Sequence, residues 1–121
     1  MKAHNVKKIV VMHAMGVGDS YGSLNFLMRL VVSNSAMGGQ FKDHDETDKM
    51  IRREGADGSL QWVMVRPSML KGDDKLPIKE LGDQGAQASF MPSCSRASVA
   101  SFMVDAAESD KWDGHTPVIV N

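Results

Sequence analysis

One cysteine, Cys94, in 121 residues leaves no internal disulfide and no thiolate metal cluster. A lone thiol suits a reducing compartment. There is no basic excess either: the formal net charge is −1, so nothing is present to neutralise nucleic-acid phosphates or an anionic membrane. No apolar run is long enough to span a bilayer, and the short one after Lys7-Lys8 lacks a secretory cleavage pattern. Cytoplasm is therefore the expected location. Internal repeats, low-complexity tracts and linkers are missing too, which predicts a single domain over 1–121. What remains is 42% hydrophobic and 24% charged, ordinary for a globular chain able to bury a core. The ten methionines read as flexible core filler rather than as ligands.

Ile9-Val10-Val11-Met12 is a β-branched apolar run, the kind buried on both faces inside parallel sheets. Gly16 to Gly22 reads as a loop, and Leu24, Leu27, Met28, Leu30 and Val31 recur at helical spacing, predicting a helix over 23–34 with its exit at Asn34 to Gly39. A second, charged helix is predicted from Asp43, as its cap, to a terminating Gly55, with a sparse apolar stripe at Met50 and Ile51. Leu60 to Val65 reads as a strand stopped by Pro67. Residues 71–92 read mainly as loop. Ser95 caps a helix with Val99, Phe102, Met103, Ala106 and Ala107 on one face, and Pro117 to Val120 closes the chain as a strand. Strands alternating with helices predict an α/β fold with a parallel sheet. Three strands are few for such a sheet, and an uncharged first strand without a neighbour exposes an edge that pairs readily.

Gly16-x-Gly18-x-x-x-Gly22 after a strand and before a helix approaches the dinucleotide fingerprint, whose glycines let backbone meet a pyrophosphate. The third glycine falls one position late. The acidic residue that should close the next strand is replaced by Asp43 opening a helix. A substrate-side loop is the plainer reading.

Four ordered segments carry a family resemblance. Met1 to Val11 resembles the helix end, turn and strand in the middle of an atypical short-chain dehydrogenase/reductase. Asp43-His44 with Lys49 to Gly55, Leu60 to Ser68, and Ser95-Arg96 to Ala100 with Trp112 to His115 resemble later segments of its NmrA-like NAD(P)-binding group, which includes flavin and biliverdin-IXβ reductases. The resemblance spans nearly the whole chain. It implies the C-terminal half of a Rossmann-like, doubly wound sheet, truncated so that the N-terminal TGxxGxxG phosphate-binding half is lacking.

The resemblance further implies that the turn after the first strand, here His13-Ala14, lies beside the nicotinamide of NADP or NAD. It implies catalytic or pocket roles for His13 and His44, with Lys49 and the Pro67-Ser68-Met69 turn as further cofactor contacts. Imidazole titrates near neutrality, so His13 could donate a hydrogen bond or a proton; drift in a copy no longer selected for activity is the rival explanation. Asp45 stands where a Tyr-x-x-x-Lys pair would put tyrosine, so a tyrosine proton donor is absent. The expected activity is reduction of a flavin, quinone or other small carbonyl substrate, weak or absent without the other half. The alternative is a non-enzymatic nucleotide-sensing or protein-interaction module. Either allows a homodimer or a partner chain along the strand edge at 8–13.

Other constellations carry less. His4, His13, His44 and His115 lack ligand spacing, so no metal is expected. Asp43, Asp45, Glu46 and Asp48 read as a solvated helix face. Ser20 and Ser68 lack a neighbouring His-Asp pair, Cys94 reads as a small buried residue despite its place beside a helix start, and Trp62 and Trp112 read as packing residues.

Overall fold

The computed structural model describes residues 1–23 and 37–121. Apart from Ser23, the helix expected over 23–34 lies outside the described residues. Strand β1 (Lys8–Met12) follows a single 3-10 turn at Lys2–His4, and a second 3-10 segment covers Gly18–Ser23. Helix α1 is Met37–Glu54, β2 is Gln61–Pro67, β3 is Met69–Leu70, β4 is Lys79–Glu80 and β5 is Ser93–Cys94. Helix α2 (Arg96–Glu108) and β6 (Val118–Val120) complete the order.

The main sheet has four strands in the order β1-β2-β6-β4. β1 runs parallel to β2 with Val10 opposite Val63, and β2 runs parallel to β6 with Arg66 opposite Val118. β4 joins antiparallel to β6, a departure from the all-parallel expectation. β3 and β5 form a separate parallel pair. Residues 71–92 thus contain one short strand within what is otherwise loop. This is an α/β fold with a mostly parallel sheet, a partial Rossmann fold.

Alternation along β2 divides the interior. Val63 and Val65 face α2 and pack with Ile119, Val99, Phe102 and Ala106, all at most 4% exposed. Ser95 caps α2 as expected, its hydroxyl accepting from the Ser98 amide at 3.3 Å. Met64 and Arg66 face the other way, towards α1. There Met15, Leu81 and Val118 cluster with Phe41. Cys94 is fully buried, and burial pushes its thiol pKa up, which removes it from thiolate chemistry.

Helix α1 corrects three expectations. It begins at Met37, so Gly38 and Gly39 belong to its first turn instead of an exit loop. Asp43 lies inside it, its carbonyl accepting from the Thr47 hydroxyl at 2.9 Å. Met50 is half exposed, leaving Ile51 as the buried member of the supposed stripe. Gly55 does follow the last helical residue, its amide donating to the Ile51 carbonyl at 2.9 Å. A close approach explains the glycine: a Cβ there would stand 2.5 Å from Trp62 Cδ1. Gly55→Ala is therefore expected to cost about 1–3 kcal/mol through overpacking. Urea unfolding checks this, and a loss below about 0.5 kcal/mol would show that the Trp62 ring can move aside.

Among the described residues no helix is long and apolar enough to cross a membrane.

Candidate active site

The carboxyl ends of β1 and β2 lie side by side, where open parallel sheets collect ligands. Two backbone bonds fix the alignment beyond the strands. The His13 amide donates to the Val65 carbonyl at 2.7 Å, and the Met15 amide to the Pro67 carbonyl at 2.9 Å. The Ser68 amide reaches across to the Ile119 carbonyl at 3.2 Å. His13, Ala14, Pro67 and Ser68 are thereby assembled at one edge.

His13 is 3% exposed, and neither ring nitrogen has a hydrogen-bond partner among the described residues. The buried Ser68 hydroxyl is unpartnered in the same sense. Leaving such groups unpaired costs about 1–3 kcal/mol each, so a cluster of them marks a place where something polar belongs. Helix α1 adds His44, whose ring centroid lies 5.0 Å from that of His13 at a 45° tilt.

The His13 imidazole is lowered to a pKa of about 4. Burial is the main cause, because it penalises the cation, and the neighbouring His44 adds to it. Asp48 pulls in the opposite direction and Arg66 reinforces the lowering. At neutral pH His13 is therefore a neutral imidazole, with one ring nitrogen able to donate and the other to accept.

Asp48 corrects the expectation of a solvated acidic face. It is 5% exposed, and its carboxylate takes Arg66 Nη2 at 2.7 Å and the Nε of Arg52 on its other oxygen. Arg52 extends the chain of charges to Asp19 at 3.3 Å. Arg66 is fully buried and also donates through Nη1 to the Asp83 carbonyl at 3.2 Å. The pair ties α1, β2 and the loop after β4 together beneath the two histidines. Its signal in the sequence is the one charged residue inside the apolar run Trp62 to Pro67.

The glycine turn serves this pair. Gly18 has a φ of +53°, and a Cβ there would sit 2.8 Å from Arg66 Nη2. The Gly16 amide is occupied by the Ser20 hydroxyl at 2.8 Å, which itself donates to the Val17 carbonyl at 2.9 Å. A turn whose amide and hydroxyl already bond each other is not arranged for a pyrophosphate. Beside it a cleft of about 180 Å3 is lined by Gly16, Val17, Gly18, Tyr21, Phe41 and Asp45. A larger one of about 350 Å3, near Phe102 and Trp112, contains none of these groups.

Two expected contacts stand apart from the cluster. Lys49 is 62% exposed and bonded to Asp45 at 2.8 Å and Glu46 at 2.9 Å, which raise its pKa. Met69 opens β3, paired with Ser93, with its side chain half exposed. No group of three potential metal ligands occurs among the described residues.

The profile of the NAD(P)H-binding family matches residues 1–110. The chain belongs to that family. Among solved structures, a short-chain dehydrogenase/reductase from Veillonella parvula, crystallised in complex with NADP, is similar at a TM-score of 0.71 and 15% identity, over 99% of this chain and 53% of its own. The ChuY protein of E. coli is similar at 0.69 and 15%, over 98% and 55%. A Rossmann-fold NAD(P)-binding family protein from Shigella flexneri follows at 0.53 and 20%, over 98% and 48%. At these identities the likeness establishes the fold. The chain spans about half the length of the solved structures it matches. No curated protein matches its sequence significantly.

Proposed function

We propose that this chain carries the nicotinamide end of an NAD(P)H-dependent reductase of the NmrA-like group, acting on a flavin, quinone or other small carbonyl acceptor. The observation that carries the reading is the buried His13 ring, 5.0 Å from His44, with both nitrogens unpartnered among the described residues, as is the Ser68 hydroxyl at the same strand ends. These groups fit a polar, planar ligand at the strand ends. Ser68 and the backbone of Ala14 and Pro67 would hold the carboxamide of the nicotinamide. Bound NAD(P)H supplies a hydride there.

His13 then has a defined task. A neutral imidazole donates a hydrogen bond to the acceptor's oxygen and stabilises the charge that hydride addition puts there, keeping its own proton; solvent supplies the proton that completes the reduction. His44, half-buried on α1, sets a second imidazole ring against His13 and helps keep it neutral. The low pKa keeps a fixed positive charge out of the site at rest.

Titration of the 121-residue chain with NADPH and NADH, read as thermal stability, tests this. Cofactor at a hundred times its dissociation constant should add about 2.7 kcal/mol. A saturable shift followed by quinone or flavin reduction supports the reading. Binding without turnover of any acceptor favours a nucleotide-sensing module. No shift at millimolar cofactor, in protein shown to be folded, contradicts it.

A further inference from the structure

β1 is the outermost strand of the sheet, and no described strand covers its outer side. Which backbone groups face that side follows from the ladder. Gln61 donates to the Lys7 carbonyl and His13 donates to the Val65 carbonyl. In a parallel pair the N–H and C=O of alternate residues point to the same neighbour. Odd-numbered residues of β1 therefore face β2, and the N–H and C=O groups of Lys8, Val10 and Met12 face outwards.

Edge strands are usually guarded by a lysine, a proline or a bulge. β1 has one charge, Lys8, and its ammonium is drawn inwards to the Asp113 carboxylate and the Ser109 carbonyl. The rest of the edge is Ile9, Val10, Val11 and Met12. Its composition is that of an interior strand.

We infer that the outer edge of β1 is the pairing surface for β1 of a second copy of this chain, joined antiparallel about a two-fold axis at Val10. The register is self-consistent. Val10 faces Val10 of the second copy, and Lys8 faces Met12 of the second copy on either side. Every one of these residues carries outward-pointing groups, so all three are hydrogen-bonded pairs, giving about six bonds. No like charges meet, as they would if Lys8 faced Lys8. The two sheets become one that ends on either side in the short, charged β4, and the two-fold uses up the β1 edge of both copies. The inference stands on the strand's geometry and is independent of cofactor binding.

Sedimentation velocity from 1 to 200 μM, with residue-level hydrogen exchange at both ends of that range, tests it. The expected result is a monomer–dimer equilibrium in which the Lys8, Val10 and Met12 amides gain protection with concentration. The amides of Ile9 and Val11, bonded to β2, should stay protected throughout. Met12→Pro removes an outward donor without touching the β1–β2 ladder, and should weaken association at least 10-fold. Should that variant fail to fold, Met12→Lys, which sets two lysines opposite each other, should do the same. A monomer at every concentration, a dimer with unprotected even-numbered amides, or folded variants that associate as the wild type does would each overturn the inference.

Discussion

Asp48→Ala is expected to destabilise the protein by about 3–5 kcal/mol, the largest loss foreseen for any single substitution here. The reason is what it leaves behind. Arg66 is fully buried, and Asp48 supplies its counter-charge at 2.7 Å. Without that carboxylate, a guanidinium stands in the interior with a single carbonyl contact, to Asp83. The converse change is milder. Arg66→Met removes the buried cation, and Asp48 keeps its bond to the partly exposed Arg52. The double variant, which leaves neither charge stranded, should be no less stable than Asp48→Ala alone. Urea unfolding of all three against the wild type gives the comparison. A loss under 1 kcal/mol for Asp48→Ala would mean that the pair is solvated and is not the clamp between α1 and β2.

The second large effect is a pH dependence assigned to His13. Unfolded, its imidazole titrates near the ordinary value of about 6.5; folded, it is held down to about 4. Between those values the unfolded chain binds the proton and the folded chain does not. The stability from a neutral buried His13 is therefore complete above about pH 6.5 and is lost as pH falls towards 4. The loss amounts to about 2 kcal/mol by pH 5 and about 3 kcal/mol over the whole window. Carboxylates also begin to titrate at its lower end, so the informative quantity is a difference. His13→Gln cannot take up the proton and should show a flatter profile from pH 7 to 5. Equal slopes in the two proteins would place the imidazole in contact with water and remove the basis for its role at the site.

Much of the fold was legible because its signals are local. Ile9 to Met12 and Trp62 to Val65 are β-branched or apolar runs that form strands. However, β1, expected to be buried on both faces, is only partly buried and Met12 is exposed, because no described strand lies on its outer side. Ser95 carries a helix cap in its side chain. Gly55 follows the last helical residue, though the reason for a glycine there, the ring of Trp62, comes from a residue on the next strand. Other elements carry no such signal. β4 is Lys79–Glu80, both exposed, and it is a strand because its backbone bonds β6, which no side-chain pattern announces. The start of α1 was hidden by Gly38 and Gly39, poor helix formers tolerated in a first turn.

The site divides along the same line. His13 and His44, 31 positions apart in the sequence, were singled out through a family resemblance, and only tertiary packing sets their rings at 5.0 Å. Asp48 was misread because the inward face of α1 is polar: His44 and Asp48 occupy it between Phe41 and Ile51. A helix face that buries a carboxylate looks, in sequence, like a solvated one. Arg66 was the available clue, as a buried cation on a strand requires an acid from a neighbouring element.

The most direct test is to follow the imidazole and amide resonances of the chain in solution while adding NADPH. The expected result is that the His13 and His44 rings and the Ser68 amide shift together and saturably, with Lys49 and the α2 face unaffected. Saturable binding that leaves His13 and Ser68 unmoved, or that moves instead the cleft near Phe102 and Trp112, would contradict it.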